Sequence, residues 1–257
     1  SASYRGGGDS RTIRTGDDAL AYALARMPAT YAAVAACLAA LQNMRPDFAP
    51  QTLLDIGAGP GTATWAALAA FSGIGHATLL DRNPALRALA LDLAREQPPQ
   101  AAVSYDEGDA AALLANSAPA DLVIASYVMT ELGEADQAAL AAGMWDKTRD
   151  TLVVIEPGTP AGHARLMRLR AALIANGAHV AAPCPHDNAC PLIAPDWCHF
   201  AQRLPRSRDH KRLKEADAPF EDEKFSYVAL SRGRPAHRPA RVLAPPQLSK
   251  VEITAKL

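Results

Sequence analysis

The chain has 257 residues, of which 49% are hydrophobic and only 5% aromatic. That length accommodates one large α/β domain with an appendage or two small domains, and the alanine-rich composition favours helices over an all-β sandwich. No run of about eighteen apolar residues is present, so we expect no transmembrane helix and no membrane partner. The first residues also lack the apolar segment of a secretory signal.

Charge is unevenly distributed along the chain, although the net charge is only −1. Residues 1–160 contain 10 Lys/Arg and 18 Asp/Glu, a net of −8, whereas residues 161–257 contain 16 and 9, a net of +7. A basic C-terminal part on an acidic body indicates a polyanionic partner, most simply RNA. A solvated charged surface is the alternative interpretation.

The N-terminal region, residues 1–50, is predicted to be a helical cap that precedes the sheet. Apolar side chains recur at helical spacing through residues 17–44, with an interruption at Pro28. Pro46 and Pro50 end the helical pattern.

Residues 51–180 alternate between short apolar runs and helical stretches. The strands are predicted at 52–56, 76–81, 101–105, 121–126 and 151–156. The helices are predicted at 61–71, 84–96, 109–115, 134–148 and 162–176. This βαβα order predicts a parallel, doubly wound sheet with right-handed crossovers.

The alternation ends at residue 178, and residues 181–223 form a proline-rich segment with cysteines and a basic run. A segment of this length without its own periodic pattern is usually functional or disordered. Two further strands are predicted at 224–230 and 251–255, so residues 224–257 would complete a seven-stranded sheet. The cysteine-containing insertion would then lie before the sixth strand.

The segment from Asp55 to Gly61 follows an apolar strand and opens a helix, which is the context of a nucleotide-binding loop. Its GxGxG spacing resembles the cofactor loop of class I S-adenosylmethionine-dependent methyltransferases, a Rossmann-like α/β fold. In that pattern Asp55 orders the loop, Asp81 accepts hydrogen bonds from the ribose hydroxyls, and Asp109 binds the adenine amino group. The residues predicted to bind the cofactor are Asp55, Gly57, Ala58, Gly59, Gly61, Asp81, Arg82, Asp109 and Ser126. Asp81 and Asp109 have an alternative role as helix N-caps.

The segment after the fourth strand lacks the motifs of familiar catalytic sites. Ser126 to Leu132 contains neither an Asn-Pro-Pro-Tyr sequence nor a Pro-Cys nucleophile. Methyl transfer depends mainly on alignment, so the absence of a base does not exclude the reaction. Glu131 is the one candidate base or positioning group, and capping of the next helix is its alternative role.

Three cysteines, Cys184, Cys190 and Cys198, lie in a C-x5-C-x7-C pattern. Their clustering indicates metal ligation rather than disulfides, and the spacing favours an iron–sulfur cluster over zinc, which commonly uses CxxC pairs. Three buried free thiols are the alternative. For a fourth ligand, His186, His199 and a residue beyond the end of the chain are open, since Cys37 lies in a predicted core helix.

A basic run follows the cysteines and contains six cationic residues in twelve positions. They could follow a phosphate backbone, and a solvated loop or helix is the alternative. The candidate RNA-binding residues are Arg203, Arg206, Arg208, Lys211, Arg212 and Lys214.

Several of these segments together resemble the methyltransferase-like assembly proteins of the mitochondrial small ribosomal subunit and their bacterial relatives. The resemblance is carried by residues 26–31, the glycine loop, residues 156–158, the segment from Cys184 to Pro191, and residues 224–227. It implies a role in small-subunit assembly, binding to ribosomal RNA, and a four-iron cluster held by four cysteines. In the family the fourth cysteine lies in the C-terminal strand region, where this chain has none. The resemblance also implies that methylation can be weak or absent.

Three functions are therefore predicted as alternatives. The first is a methyltransferase acting on ribosomal RNA, and the second is a non-catalytic assembly factor that binds the ribosome. The third is a small-molecule methyltransferase with a zinc-stabilised lid, against which the basic C-terminal part counts. The alanine-rich, arginine-rich composition suggests a bacterial cytoplasmic protein, which we expect to be monomeric off the ribosome.

Overall fold

The structure is a computed structural model that describes residues 12–96, 100–214, 216–240, 247–249 and 251–254. The helices are α1 Gly16–Ala25, α2 Met27–Met44, α3 Thr62–Ala70, α4 Pro84–Glu96, α5 Ala110–Asn116, α6 Glu134–Lys147, α7 Pro160–Ala175 and α8 Arg208–Lys214, with a 3₁₀ turn at Met129–Glu131. The strands are β1 Thr52–Ile56, β2 His76–Asp81, β3 Ala102–Glu107, β4 Ala120–Ser126, β5 Thr148–Pro157, β6 His179–Ala182, β7 Phe200–Pro205, β8 Phe220–Ser231, β9 Gln247–Leu248 and β10 Ile253–Thr254.

The main sheet has the strand order β3-β2-β1-β4-β5-β8-β6. Strands β1 to β5 are parallel, whereas β8 runs antiparallel between β5 and β6. The first half of β8 extends beyond this path and pairs with β7. The predicted α/β fold with a doubly wound sheet is confirmed, and all five predicted βα units are present.

The order of the last strands corrects the prediction. The sixth strand is His179–Ala182, which the sequence pattern does not reveal, and the long segment with the cysteines follows it rather than preceding it. Residues 224–230 belong to β8, which takes the place expected for residues 251–255. Ile253–Thr254 instead pairs with Gln247–Leu248 in a separate two-stranded sheet, so the C-terminal strand pair does not complete the main sheet.

Two apolar layers cover the faces of the sheet. On one face, Leu38 and Leu41 of α2 pack with Leu53 of β1. On the other, Met144 of α6 packs in the cluster that contains Leu54. Neighbouring residues on one strand thus enter opposite layers, which is why the parallel strands are continuously apolar.

The N-terminal helices are separated by a bend of 51° at Arg26, and Pro28 occupies the first turn of α2. Proline is tolerated there because its missing N–H would have no partner within the helix. Within the described part of the chain, no single helix is long and apolar enough to cross a membrane, although the bent pair α1 and α2 together reaches that length and composition.

Candidate functional site

The predicted cofactor loop connects β1 to α3 at the carboxyl edge of the sheet. Gly57, Gly59 and Gly61 have φ values of +65°, +55° and +78°, which L side chains rarely adopt. A Cβ atom on Gly57 would also lie 2.6 Å from Cγ2 of Val128, so the turn after β4 packs directly on this glycine. The loop therefore needs glycine for its backbone conformation and for close contact with the segment that follows β4.

Asp55 ends β1 beneath this loop and is fully buried. Its Oδ2 accepts hydrogen bonds from the backbone N–H of Thr64 at 3.0 Å and from the Thr64 hydroxyl at 2.7 Å. Its Oδ1 is buried without a partner among the described residues, and burial raises the pKa of the carboxyl to about 7. An acid held this way ties β1 to the start of α3 and so orders the loop between them.

Asp81 ends β2 and joins the two neighbouring loops at this edge. Its Oδ2 accepts from the Gly59 N–H at 2.8 Å, and its Oδ1 accepts from the Asn83 N–H, also at 2.8 Å. Burial raises the pKa of this carboxyl. The side chain of Asn83, and not that of Asp81, caps α4 by accepting from the N–H groups of Ala85 and Leu86. Asp81 is thus tied to the glycine loop, and its predicted contact with ribose hydroxyls stays a prediction.

Asp109 instead occupies the alternative role that the sequence left open. It is the N-cap of α5, and its Oδ1 accepts from the backbone N–H groups of Ala111 and Ala112, both at 3.1 Å. The side chain is exposed, and its predicted contact with an adenine amino group stays a prediction.

Tyr105 of β3 contacts the glycine loop, and the sequence did not predict this contact. Its hydroxyl donates to the carbonyl oxygen of Gly59 at 2.8 Å, and burial raises its pKa. A polar aromatic side chain near the end of the third strand is a signal that could have indicated this contact, because neighbouring parallel strands end at one edge.

The predicted catalytic candidate Glu131 lies in the 3₁₀ turn after β4, where it pairs with Arg82 at 3.6 Å. Gly133 is the N-cap of α6, so Glu131 does not cap that helix. The structure therefore brings together the predicted site residues Arg82 and Glu131, with the carboxylate of Glu131 facing the Arg82 guanidinium. Ser126 ends β4 and lies half-buried beside this turn.

Tyr127 follows β4 in a conformation that is unusual for a residue with a side chain, with φ at +62°. Its hydroxyl donates to Oε1 of Glu223 at 2.8 Å, and Arg26 donates to both oxygens of the same carboxylate at 2.8 and 2.9 Å. The guanidinium also lies over the Tyr127 ring, 4.9 Å from its centre. Burial raises the pKa of the Tyr127 hydroxyl. This network joins the α1–α2 junction, the exit of β4 and β8, and no sequence motif predicts it.

Glu156 supports the same turn from the end of β5 and is fully buried. Its Oε2 accepts from Nε of Arg165 at 2.6 Å, and a hydrogen bond from the backbone N–H of Met129 reaches the same carboxylate. Burial raises the pKa of Glu156 against these two interactions. The carboxylate thus fixes the position of the residues that pack on Gly57.

The three clustered cysteines are distributed along the segment between β6 and β7. Cys184 packs on the edge of one core layer, and the carbonyl oxygen of Cys198 accepts from the hydroxyl of Ser226 at 2.7 Å. Among the residues that the structure describes, no group of three or more His, Cys, Asp or Glu side chains is arranged to hold a metal ion. Cys37 is fully buried in α2, as expected. The segment therefore contains three thiols, but in the described residues they are not arranged around a common metal position.

Most cations of the predicted RNA-binding run already face carboxylates. Arg206 and Lys214 pair with Glu221 of β8 at 3.0 and 2.7 Å. Arg203 makes a two-point contact with Asp222 at 2.8 and 2.9 Å. Arg212 pairs with Asp209 at 3.8 Å. Arg208 and Lys211 have no carboxylate partner in the described part of the chain, so they carry most of the unbalanced charge of α8.

The strand order, with a glycine loop after β1 and an acid after β2, defines the class I methyltransferase fold. The chain matches the magnesium protoporphyrin IX methyltransferase ChlM of Synechocystis PCC 6803 with a TM-score of 0.52 and 12% identity, covering 80% of this chain and 84% of that one. It matches the precorrin-6y C5,15-methyltransferase of Geobacter metallireducens GS-15 with a TM-score of 0.50 and 14% identity, covering 76% and 87%. These similarities concern the fold alone.

Sequence comparison identifies the family. Residues 16–257 match the family described as mitochondrial small ribosomal subunit Rsm22, and the chain belongs to this family. The human mitochondrial ribosome assembly protein METTL17 is 33% identical in an alignment of 246 positions that covers 88% of this chain and 52% of that protein. Rsm22-cox11 tandem protein 2 of Schizosaccharomyces pombe is 26% identical in an alignment of 259 positions that covers 88% of this chain and 33% of that protein. The resemblance stated from the motifs is confirmed, and the chain spans about half the length of the human relative and a third of the yeast one.

Proposed function

We propose that this protein assists assembly of the small ribosomal subunit by binding ribosomal RNA, and that its glycine loop binds S-adenosylmethionine. The observation that carries the proposal is the family match along residues 16–257, which includes the whole glycine loop, the cysteine segment and the basic run. The names of two relatives, a ribosome assembly protein and an Rsm22 tandem protein, point in the same direction.

The residues of the loop suit the proposed cofactor. Asp55 holds the start of α3 through Thr64. The slightly exposed Asp81 carboxylate keeps acceptor capacity beyond its backbone donors Gly59, Arg82 and Asn83. When bound, S-adenosylmethionine supplies an activated methyl group. This chain's own contribution is to hold the loop open with glycine and to present two buried carboxylates to it.

The segment at the exit of β4 favours binding over methyl transfer. Glu131 faces Arg82, the Tyr127 hydroxyl is committed to Glu223, and the apolar Val128 lies between them on Gly57. These contacts leave neither Glu131 nor Tyr127 as an unengaged base, which counts against a reaction that needs one but does not exclude methyl transfer. We favour the assembly factor because of the family match. Methylation of ribosomal RNA is the second candidate because the cofactor loop is intact.

Calorimetry with S-adenosylmethionine tests the cofactor. We expect wild type to bind, and Asp81→Asn to bind at least about tenfold more weakly, since one charged acceptor of the loop is lost. Asp92→Asn is the matched control because Asp92 is exposed on α4 and pairs with Arg95. Absence of binding to folded wild type would contradict the proposal.

Mass spectrometry of ribosomal RNA separates the two candidates. RNA from a strain that lacks the gene is compared with RNA from a strain that carries Asp81→Asn. A subunit assembly defect without a lost methyl group supports the assembly factor. A methyl group that disappears in both strains establishes the methyltransferase instead.

RNA binding through α8 predicts an unequal effect of its cations. Arg208→Gln and Lys211→Gln should weaken binding to a ribosomal RNA fragment more than Arg206→Gln and Lys214→Gln, because the latter two already face Glu221. Replacing an unpaired cation that contacts a phosphate should also reduce the slope of log K against log salt concentration by about one. Equal effects of all four variants would contradict a role for α8 in phosphate contact.

We also propose that Cys184, Cys190 and Cys198 hold an iron–sulfur cluster, with zinc as the alternative. The support is their thiolate chemistry and clustering, and a fourth donor is needed in addition. Anaerobic purification with assays for iron and acid-labile sulfide decides between cluster and zinc. Cys198→Ser should lower the iron content, whereas Cys37→Ala should not. Iron-free and zinc-free protein after anaerobic purification would overturn both.

The cellular setting is a further proposal from composition. We propose a bacterial cytoplasmic protein that is monomeric off the ribosome. Fractionation of cells on a sucrose gradient, with light scattering of the purified protein, tests both parts.

A further inference from the structure

A cavity of about 660 Å³ lies outside the cofactor loop, between residues 185–188 and residues 234–238. Asp187 anchors one wall, because its Oδ1 accepts from the backbone N–H of Val180 at 2.7 Å. Val180 belongs to β6, the last strand of the sheet, whereas the glycine loop follows β1 at its middle. The cavity is therefore separate from the cofactor loop, and its wall belongs to the segment between Cys184 and Cys190.

The walls of this cavity carry more positive than negative charge. Arg234 and Arg238 line it, and Asp187 is the one carboxylate among its described lining residues. Arg238 donates to Oδ2 of Asp187 at 3.0 Å through Nη1. Arg170 lies under the same wall and donates to the carbonyl oxygen of His186 at 2.8 Å. Arg234 has no carboxylate partner in the described part of the chain.

Among the residues that the structure describes, several donors of these guanidinium groups are buried without acceptors. They are Nε and Nη2 of Arg238, whose side chain is 11% exposed, and Nε of Arg170, which is 3% exposed. A buried donor without a partner destabilises the fold, and a charged one does so more strongly. Arg238 also lines the cavity, so an anion there would accept from these donors once the guanidinium turned towards it.

We propose that this cavity is a phosphate-binding site, in which Arg238 and Arg234 grip the phosphate group of a nucleotide. The planar guanidinium fork matches phosphate oxygens at two points, which a lysine does not reproduce. A volume of 660 Å³ is large enough for a nucleotide. The phosphate comes either from an RNA backbone or from a free mononucleotide. The RNA source rests on the proposed function and on the net charge of +7 in residues 161–257.

Substitution of Asp187 distinguishes a phosphate site from a structural ion pair, because the two predict opposite changes in affinity. Its carboxylate competes with phosphate for Arg238, and its interactions with the Val180 N–H, Arg238 and His179 lower its pKa to about 2, so it is charged at neutral pH. Asp187→Asn removes the charge and keeps an oxygen for the Val180 N–H. A phosphate site then binds more tightly, whereas a merely structural Asp187–Arg238 pair predicts weaker binding or none.

The experiment measures binding of a fluorescein-labelled single-stranded ribosomal RNA by anisotropy at several salt concentrations. We expect Arg234→Gln and Arg238→Gln each to weaken binding about three- to tenfold and to reduce the salt slope by about one. Arg234→Lys keeps the charge without the fork, so it should restore the salt slope but only part of the affinity, and Asp187→Asn should raise affinity about threefold. The matched control is Arg95→Gln on α4, where the exposed Arg95 pairs with Asp92.

A second titration uses adenosine monophosphate, with adenosine as the control that lacks phosphate. Displacement of the RNA by the monophosphate and not by adenosine assigns the site to the RNA backbone. Monophosphate binding that depends on Arg238 without displacement of RNA assigns it to a free nucleotide.

Two outcomes overturn the proposal. In the first, Arg234→Gln and Arg238→Gln fold normally and bind the RNA and the monophosphate as tightly as wild type. In the second, Asp187→Asn weakens the binding of both probes. Wild type that binds no RNA contradicts the proposed function instead, and the monophosphate titration on the same variants still tests the cavity.

Discussion

At the residue scale, three aspartates follow three parallel strands and act differently because of the backbone around them. Asp55 is buried against Thr64 and keeps a free oxygen, whereas Asp81 uses both oxygens to accept from N–H groups of the loop edge. Asp109 is exposed and caps a helix. Position after a strand therefore predicts which acids lie near the site, and local donors determine how each one is used.

Gly57 combines a positive φ with close packing, and Gly57→Ala should separate the two costs. We expect a loss of about 3 kcal/mol or more in the free energy of unfolding, since about 1–2 kcal/mol comes from the left-handed backbone and the rest from contact with Val128. Chemical denaturation measures this loss.

Two glycines provide the controls for that substitution. Gly177 has φ at +83°, and a methyl group added there would meet open space, so Gly177→Ala should cost only the backbone part. Gly16 has open space and no positive φ, so Gly16→Ala should be neutral or slightly stabilising. Equal losses at positions 57 and 177 would mean that the turn after β4 yields to a methyl group.

Asp55 should make stability fall as the pH rises. Its pKa is about 7 in the folded protein and 3.8 as the ordinary value, so the folded state binds more protons between these two pH values. The contribution of Asp55 to stability is therefore greatest below pH 4 and is lost progressively towards pH 7. Asp55→Asn removes this pH-dependent contribution. The unfolding free energy of the variant minus that of wild type should therefore increase from pH 4.5 to 7.5.

The control for this titration is an aspartate with the opposite shift. Hydrogen bonds from the backbone N–H of Arg14 and from the hydroxyl and N–H of Thr15 lower the pKa of Asp18. Its contribution is lost only at acid pH, so Asp18→Asn should give a constant difference between pH 5 and 7.5. A constant difference for Asp55→Asn as well would show that its carboxyl titrates near the ordinary value.

At the scale of elements, the junction of α1 and α2 is attached to β8 by a side-chain network. The Arg26–Glu223 pair connects residues 197 positions apart in sequence, and its side chains are 31% and 13% exposed. Tyr127 joins the same carboxylate from the exit of β4. The junction of α1 and α2 is therefore attached to β8 and to the exit of β4 through one partly buried carboxylate.

A double-mutant cycle with Arg26→Ala and Glu223→Ala measures this attachment. We expect a coupling energy of about 1–3 kcal/mol, since the bond is bidentate, charged and shielded from water. The neighbouring pair of Arg203 and Asp222 is the control, because it is also bidentate but 64% and 38% exposed. Its coupling should stay below about 1 kcal/mol. Similar coupling in both pairs would mean that burial does not strengthen the first.

The sequence predicts those elements whose signal is local. Strands β1 and β2 are predicted at their observed bounds because each is an apolar run that ends in or near an acid. Strand β6 escapes prediction because His179–Ala182 is four residues long and half alanine, so its periodicity is indistinguishable from that of a helix end. The predicted final strand order is wrong for the same reason.

The site is predictable to a similar extent. The glycine loop and Asp81 are close in sequence and follow a known pattern, so their association is expected. The Tyr127–Glu223 bond is not, because it depends on the register of β8 and on the fold of the intervening segment. Long-range side-chain pairs of this kind leave no periodic signal in one sequence.

At the scale of the whole molecule, opposite charges in sequence become neighbours in space. The basic run of residues 203–214 packs on acids of β8, so Glu221 and Asp222 balance much of its charge. The cations near the cavity at residues 234–238 face a single carboxylate among the described lining residues. The C-terminal part has a net charge of +7. Within the described residues, its unbalanced positive charge lies mainly at Arg208 and Lys211 of α8 and at Arg234.

The segment from Cys184 to His199 should open before the rest of the molecule. Side-chain anchors attach it to the core, such as the Trp197 indole N–H to the Gly158 carbonyl at 3.1 Å and Asp187 to the Val180 N–H. The parallel strands instead share continuous ladders of main-chain hydrogen bonds between two apolar layers. Local opening costs less free energy where few backbone bonds and little apolar contact are lost.

Amide hydrogen exchange measures this order of opening. We expect residues 184–199 to exchange at least about a hundredfold faster than β4 and β5, and Trp197→Phe to accelerate exchange in this segment alone because one anchor is lost. If the cysteines hold a cluster, reconstitution with iron and sulfide should slow exchange here and leave the sheet unchanged, since ligation adds cross-links only to this segment. Protection equal to that of β4 in metal-free protein would contradict the prediction and show that the segment is an integral part of the core.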